Sequence, residues 1–300
     1  MNHSADYSRK AIILFLSITF TFSSIFYLLI IHTGKLGSGF NMFVTGLMWS
    51  PGLSAILTSL LVKRKLSALA WQWGKPRYQF WSYVVPLFYV MIAYIIIWSL
   101  GWGGFYNKDF ATRIDTAFGF TNLPAGVNLF FYFIIMGLLG MPGSASSALG
   151  EEIGWRGFLV PELSKRFNYT HTSLITGGIW AVWHFPILLF ADYNSGTAYW
   201  YGLSCFTVMV ISMSFIMTWF RLKSNSLWTA VLLHASHNLF IQSIFTPLTT
   251  DTGHTNYFID EFGIVLPVIC VCFAFFFWKR RRELMNNPED VACKDPQVNQ

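Results

Sequence analysis

Seven side chains in an otherwise apolar chain have the types and spacing for acid–base chemistry: Glu151, Glu152, Arg156, His184, His234, His237 and Asn238. Glu152 and Arg156 stand four apart, so on a helix they share a face and can pair. Glu151 is rotated about 100° from its neighbour, which leaves one carboxylate free to point elsewhere. His184 follows Trp180 by four residues and precedes Pro186, whose ring loosens helical hydrogen bonding at that point. His234 and Asn238 also stand four apart and offer an imidazole and an amide on one face. His237 lies near that face and is expected to be dispensable. Taken singly, each group has an ordinary reading: an interfacial ion pair, a packing histidine, a polar pair joining two helices. Taken together, a carboxylate, two imidazoles and an amide can activate water and stabilise an oxyanion. That set suits amide hydrolysis.

The elements that must position these groups are membrane helices. Of the 300 residues, 54% are hydrophobic and only 11% charged, against about 25% charged in an ordinary soluble domain. A spanning helix needs roughly 20 mainly apolar residues. Eight stretches qualify: about 11–32, 42–62, 81–102, 127–148, 173–190, 200–220, 227–246 and 262–278. The expected fold is therefore an all-α polytopic membrane bundle of about eight transmembrane helices. A head (1–10), a bundle (11–278, with the site in 127–246) and a tail (279–300) complete the organisation. Basic residues cluster at Arg9–Lys10, Lys63–Arg77, Lys165–Arg166, Arg221–Lys223 and Lys279–Arg282, whereas the alternate loops carry Asp192, Asp251, Asp260 and Glu261. Eight spans with both termini cytoplasmic satisfy the positive-inside rule at every loop. On that topology Glu151 sits at the cytoplasmic end of span four, and His184 is about 11 residues, or roughly 16 Å, into span five. His234 and Asn238 are roughly 10–16 Å into span seven. All would face one wet cavity open to the cytoplasm.

The net charge of +6 is spread in short clusters between apolar runs, which argues against a nucleic-acid partner. Cys205, Cys270, Cys272 and Cys293 form no CxxC pair, so neither a disulfide framework nor a thiolate metal site is expected. The first apolar run lacks a small-residue cleavage site and is long enough to span, so it reads as a helix rather than a signal peptide. The C-terminal PQVNQ carries no lipidation box. The stretch 66–80, rich in Trp beside Lys75 and Arg77, reads either as an interfacial segment or as a plain loop. Two aromatic-rich outer loops, near 103–126 and 247–261, are expected to cap the bundle without contributing chemistry.

At Glu151–Glu152–x–x–x–Arg156, Trp180–x–x–x–His184 and His234–x–x–x–Asn238 the chain resembles the CPBP family of intramembrane proteases, which includes the type II CAAX prenyl endopeptidases and bacterial Abi-type proteins. The family pattern runs EExxxR, FxxxH, HxxxN/D, with gaps of about 30 and 50 residues as here. Tryptophan replaces phenylalanine at 180, a change expected to alter cavity shape more than chemistry. The resemblance covers about residues 127–246. It implies that Glu151 is the general base that activates water, assisted by His184. It further implies that His234 and Asn238 stabilise the oxyanion and that Glu152 with Arg156 forms a supporting pair. A peptide or membrane-protein substrate and a bacterial plasma-membrane location are expected. Glu151, His184 and His234 are also a possible ligand set for a divalent metal such as zinc, with an open position for water, although no HExxH helix is present and the glutamate-base reading requires no metal. The competing readings are a non-catalytic immunity or scaffold protein of the same fold, tested by function surviving Glu151→Ala, and a proton-coupled transporter, tested by flux into liposomes.

Overall fold

The computed structural model describes residues 2–33, 42–120, 123–191 and 193–284. Asp192, Cys293 and the tail beyond Leu284 lie outside the described residues. The chain is a helical bundle: α1 (Asn2–Thr33), α2 (Met42–Leu61), α3 (Pro76–Ser99), the short α4 (Lys108–Phe118), then α5 (Ala125–Ile135), α6 (Met141–Glu152) and α7 (Val160–Ser164), followed by α8 (Tyr169–Phe190), α9 (Tyr199–Ser224), α10 (Leu227–Asn238), α11 (Thr246–Leu248) and α12 (Val265–Lys279). Among the described residues, six helices are long and apolar enough to cross a membrane: Tyr7–Thr33, Met42–Leu61, Pro76–Ser99, Gly126–Ser164, Tyr169–Phe190 and Tyr199–Ser224. The seventh expected span is helical throughout, but His234, His237, Asn238 and Gln242 dilute its hydropathy. The eighth is the 15-residue α12.

Residues 7 and 8 are not part of a separate head. They belong to α1 and are packed: Tyr7 donates to the Val62 carbonyl and Ser8 Oγ to Glu162 Oε2 at 2.8 Å. The stretch 66–80 docks on the start of α10, where the Ala70 carbonyl accepts from Leu227 N at 2.8 Å and the Trp71 carbonyl from Trp228 Nε1 at 2.8 Å. The two aromatic outer loops are tied by a two-residue antiparallel pair, β1 (Gly104–Phe105) with β2 (Thr249–Thr250).

The helix from Gly126 to Ser164 runs 39 residues, or about 58 Å at 1.5 Å per residue. That exceeds the roughly 40–45 Å of a whole bilayer. It widens twice, into π turns at Met136–Gly140 and Ile153–Leu159, and α10 passes into a third π turn at Leu239–Phe245. Each ends two residues before a proline: Pro142, Pro161 and Pro247. A proline supplies no N–H and its ring clashes with the carbonyl four residues back, so the preceding turn opens and its carbonyls re-pair one residue further on. Two of these turns begin directly after site residues, Glu152 and Asn238.

Span four runs further than its expected bounds. The expected span covers about 127–148, with a continuation into the glutamate motif left open, and sets Glu151 at a membrane edge. Instead the helix continues 12 residues beyond Glu152, and both glutamates and Arg156 are buried inside the bundle. What surrounds them is protein: α2 lies against α6 and the π turn that follows it, and α10 packs on α6. The close approach of α2 depends on Gly150 and Gly154. A Cβ on Gly150 would meet Trp49 at 2.8 Å, and one on Gly154 would meet Pro51 at 2.5 Å. A small-xxx-small pair thus brackets the acidic motif, the spacing that lets membrane helices touch backbone to backbone.

Candidate active site

α10 is fixed in rotation by two hydrogen bonds to its neighbours: Ser144 Oγ of α6 donates to the Ala235 carbonyl at 2.8 Å, and Ser236 Oγ donates to the Tyr83 carbonyl of α3 at 2.6 Å. α8 begins at Tyr169, where the Asn168 side chain caps it by accepting from His171 N, four residues earlier than expected. His184 therefore lies 15 residues into the helix, about 22 Å. Pro186 sits inside α8, and one carbonyl of that loosened turn, Trp183 O, accepts from Tyr27 of α1.

These helices bring Glu151, His184, His234 and Asn238 to the wall of one cavity of about 490 Å³. Glu152 and Arg156 lie beneath it. Arg156 Nη1 donates to both Glu152 oxygens, at 3.0 and 3.1 Å, and its guanidinium stacks 4.3 Å from the Trp180 ring centre. The carbonyl of Arg156, in the opened π turn, accepts from Arg221 Nε at 2.9 Å. The i,i+4 pairing expected for Glu152 and Arg156 is therefore present, and it extends further: Glu152 Oε1 is also 2.9 Å from His234 Nδ1.

The histidine tautomers follow from their partners. A carbonyl or a carboxylate can only accept. His184 Nδ1, 2.9 Å from the Trp180 carbonyl, and His234 Nδ1, 2.9 Å from Glu152, therefore both carry hydrogen. Each neutral ring then keeps its lone pair on Nε2. His234 becomes a two-sided donor only as the imidazolium, and Glu152 is the anion placed to balance that charge.

Glu151 is held differently. Its Oε2 accepts from Trp180 Nε1 at 2.7 Å and from Trp155 Nε1 at 3.4 Å. The exchange of phenylalanine for tryptophan at 180 is thus not chemically silent, because a phenyl ring has no donor to offer. Trp180 also packs edge-on against His234, with ring centres 5.3 Å apart. Side-chain type alone carried this signal, since an indole N–H in an apolar helix needs an acceptor.

The cavity has a roof that the sequence did not reveal. Glu261, in the loop before α12, is buried and accepts from Tyr193 Oη at 3.1 Å. His237 Nε2 lies 3.4 Å from Glu261 Oε1, and its Nδ1 is 2.7 Å from Tyr89 Oη. His237 therefore belongs to the cavity wall and ties it to the loop. Beside it, Asp260 is pushed up to about 6 by burial and by the neighbouring Glu261 charge. The outer loops thus carry ionisable groups to the cavity, contrary to expectation.

Tyr193, Ser195 and Asp260, of which Ser195 is exposed, line the cavity at the end of the bundle opposite the basic loops. Among the described residues no three His, Cys, Asp or Glu side chains are grouped to hold a metal ion. Glu151, His184 and His234 share a wall without forming a ligand set as they stand.

Residues 129–240 match the family model described as type II CAAX prenyl endopeptidase Rce1-like. The chain is also 34% identical over 100 residues to a CAAX prenyl protease 2 of Methanococcus maripaludis, a match covering 31% of this chain and 36% of the relative. The chain thus spans about a third of that relative's length. The segment matched by the family holds every candidate site residue.

Proposed function

We propose, from the premise that residues 129–240 group with the Rce1-like type II CAAX prenyl endopeptidases, that this integral membrane protein is an intramembrane endopeptidase. The observation that carries the reading is the single cavity lined by Glu151, His184, His234 and Asn238, with Glu152 and Arg156 fixed beneath it. Glu151 takes a proton from a water that also donates to His184 Nε2. The hydroxide oxygen bonds to the substrate carbonyl carbon, and the negative charge moves to the carbonyl oxygen. His234, as imidazolium balanced by Glu152, and the Asn238 amide donate to that oxygen. The C–N bond then breaks, and the leaving nitrogen receives the proton held on Glu151. Arg156 keeps Glu152 in place and touches no substrate. The cavity walls from Met209, Val210 and Met213 favour apolar residues at the cleaved bond.

The relative's name directs the first substrate test to a prenylated peptide ending in CAAX, with the unprenylated peptide beside it. Protein reconstituted in vesicles should cleave at least one of them, and the Glu151→Ala variant, still folded, should cleave neither. Equal rates for wild type and variant would overturn the glutamate mechanism. Preincubation with a chelator should leave the rate unchanged; loss restored by zinc would instead require a metal. The positive-inside rule puts the mouth on the extracytoplasmic side. A Ser195→Cys variant in intact cells should then react with a membrane-impermeant maleimide, and labelling only after lysis would reverse the orientation.

A further inference from the structure

A second and larger hollow, about 890 Å³, lies between α3, α9 and α12 at the basic end of the bundle, away from the cavity just described. Its floor is buried and apolar, formed by Val85, Trp219, Phe220 and Phe277. Its lips are half-exposed aromatic and aliphatic side chains, Trp81, Phe88 and Phe276 among them. Along α3 it extends from Arg77 to Ile92, 15 residues and about 22 Å. That is longer than the roughly 15 Å half-thickness of a hydrocarbon core.

The mouth carries charge of one sign in excess. Arg77, Lys223 and Arg280 line it with one carboxylate, Glu283. Arg280 pairs with Glu283 at 2.6 and 3.0 Å. Lys223 Nζ donates to the Glu283 carbonyl at 2.6 Å and not to its carboxylate. Arg77 donates to Tyr78 Oη at 2.8 Å and stacks on that ring. Among the described lining residues three cations thus face one carboxylate, an excess of two positive charges at headgroup level over an apolar trough deep enough for an acyl chain. Basic pockets between helices on this side of a membrane suit anionic headgroups.

We propose that this groove is a binding site for an anionic phospholipid, with its phosphate at Arg77 and Lys223 and an acyl chain along Val85, Phe88 and Phe277. The site is independent of the protease reading, since none of its residues lines the cavity of Glu151. The test is native mass spectrometry of the full chain in detergent, titrated with phosphatidylglycerol or phosphatidylcholine of identical chains. Wild type should retain phosphatidylglycerol preferentially. The Arg77→Gln/Lys223→Gln variant should bind it roughly 30-fold more weakly, each basic residue near an anionic lipid contributing about fivefold. Ile92→Trp, which keeps the charges and narrows the trough, should weaken both lipids. Equal retention of the two lipids by wild type, or an unchanged double variant, would overturn the proposal. So would displacement of phosphatidylglycerol by millimolar inorganic phosphate, which would mean that the site reads free anion and not lipid.

Discussion

Glu151 and Glu162 lie on one continuous helix, eleven residues apart, and both are buried. Their surroundings differ in kind. Glu162 is saturated by charge: Arg64 and Lys165 both reach Oε1, the latter at 2.6 Å, and Ser8 donates to Oε2. Glu151 is held by two neutral indole N–H groups, both on Oε2, beside a cavity. A carboxylate compensated by cations has its charge committed to holding α1, the α2 end and α7 together. One that is oriented by neutral donors remains a base. Between them, Glu152 answers to both Arg156 and His234, and so passes charge compensation from structure to chemistry.

The sharpest way to break this contrast is to remove one charge at a time. Glu151→Gln keeps the shape and the indole contacts, and should lower cleavage by about 10²–10⁴-fold, the range for loss of a general base, with the melting temperature unchanged. Glu162→Gln should do the reverse, leaving Arg64 facing a neutral amide. The expected loss is about 2 kcal/mol, below the roughly 3–5 of a fully buried broken pair because Arg64 is 22% exposed. Turnover per folded molecule should stay near wild type. Thermal unfolding and single-turnover cleavage on both variants separate the two outcomes. If Glu162→Gln loses turnover without losing stability, the contrast is false.

The same comparison marks what was legible in the sequence. Glu151, Glu152 and Arg156 announced themselves because charge is costly beside an apolar run. His184, His234 and Asn238 did so because their four-residue spacing is helical. The bundle itself was legible from composition. Glu162 carried no signal of its own, because hydropathy registers a charge but not the partners that bury it. Three prolines carried the π turns, yet only the missing N–H in three dimensions tells which turn opens. Glu261 and Asp260 gave no periodic signal because a loop has none, and their place on the roof depends on α12 folding back against α9.

A smaller effect is expected from the groups that act on the oxyanion. His234→Ala and Asn238→Ala should each lower kcat by roughly 10²–10³-fold, as loss of one oxyanion donor does elsewhere, with KM little changed. The two differ in one respect that the contrast predicts. His234→Ala removes a partner of Glu152 and should also lower the melting temperature. Asn238 is half-buried on the cavity wall and its loss should not. Equal destabilisation by both would mean that the Glu152–His234 bond carries no structural load.

The smallest effect is also the most discriminating. Trp180→Phe installs the residue of the family pattern, keeps a ring against Arg156 and His234, and deletes only the donor 2.7 Å from Glu151. If Glu151 were positioned by packing alone, that change would leave kcat as it is. If neutral donors orient the base, its carboxylate gains rotational freedom, and one hydrogen bond to a charged group, about 1.5–3 kcal/mol, is lost. Trp155 Nε1, at 3.4 Å on the same oxygen, still restrains it, so the expected fall in kcat is at the low end, roughly tenfold, with KM unchanged. Trp155→Phe in the Trp180→Phe background should then cost more than it does in wild type, because the two indoles share one oxygen. Additive losses would show that they hold Glu151 independently, and no loss in either background would leave the base oriented by the backbone of α6 alone.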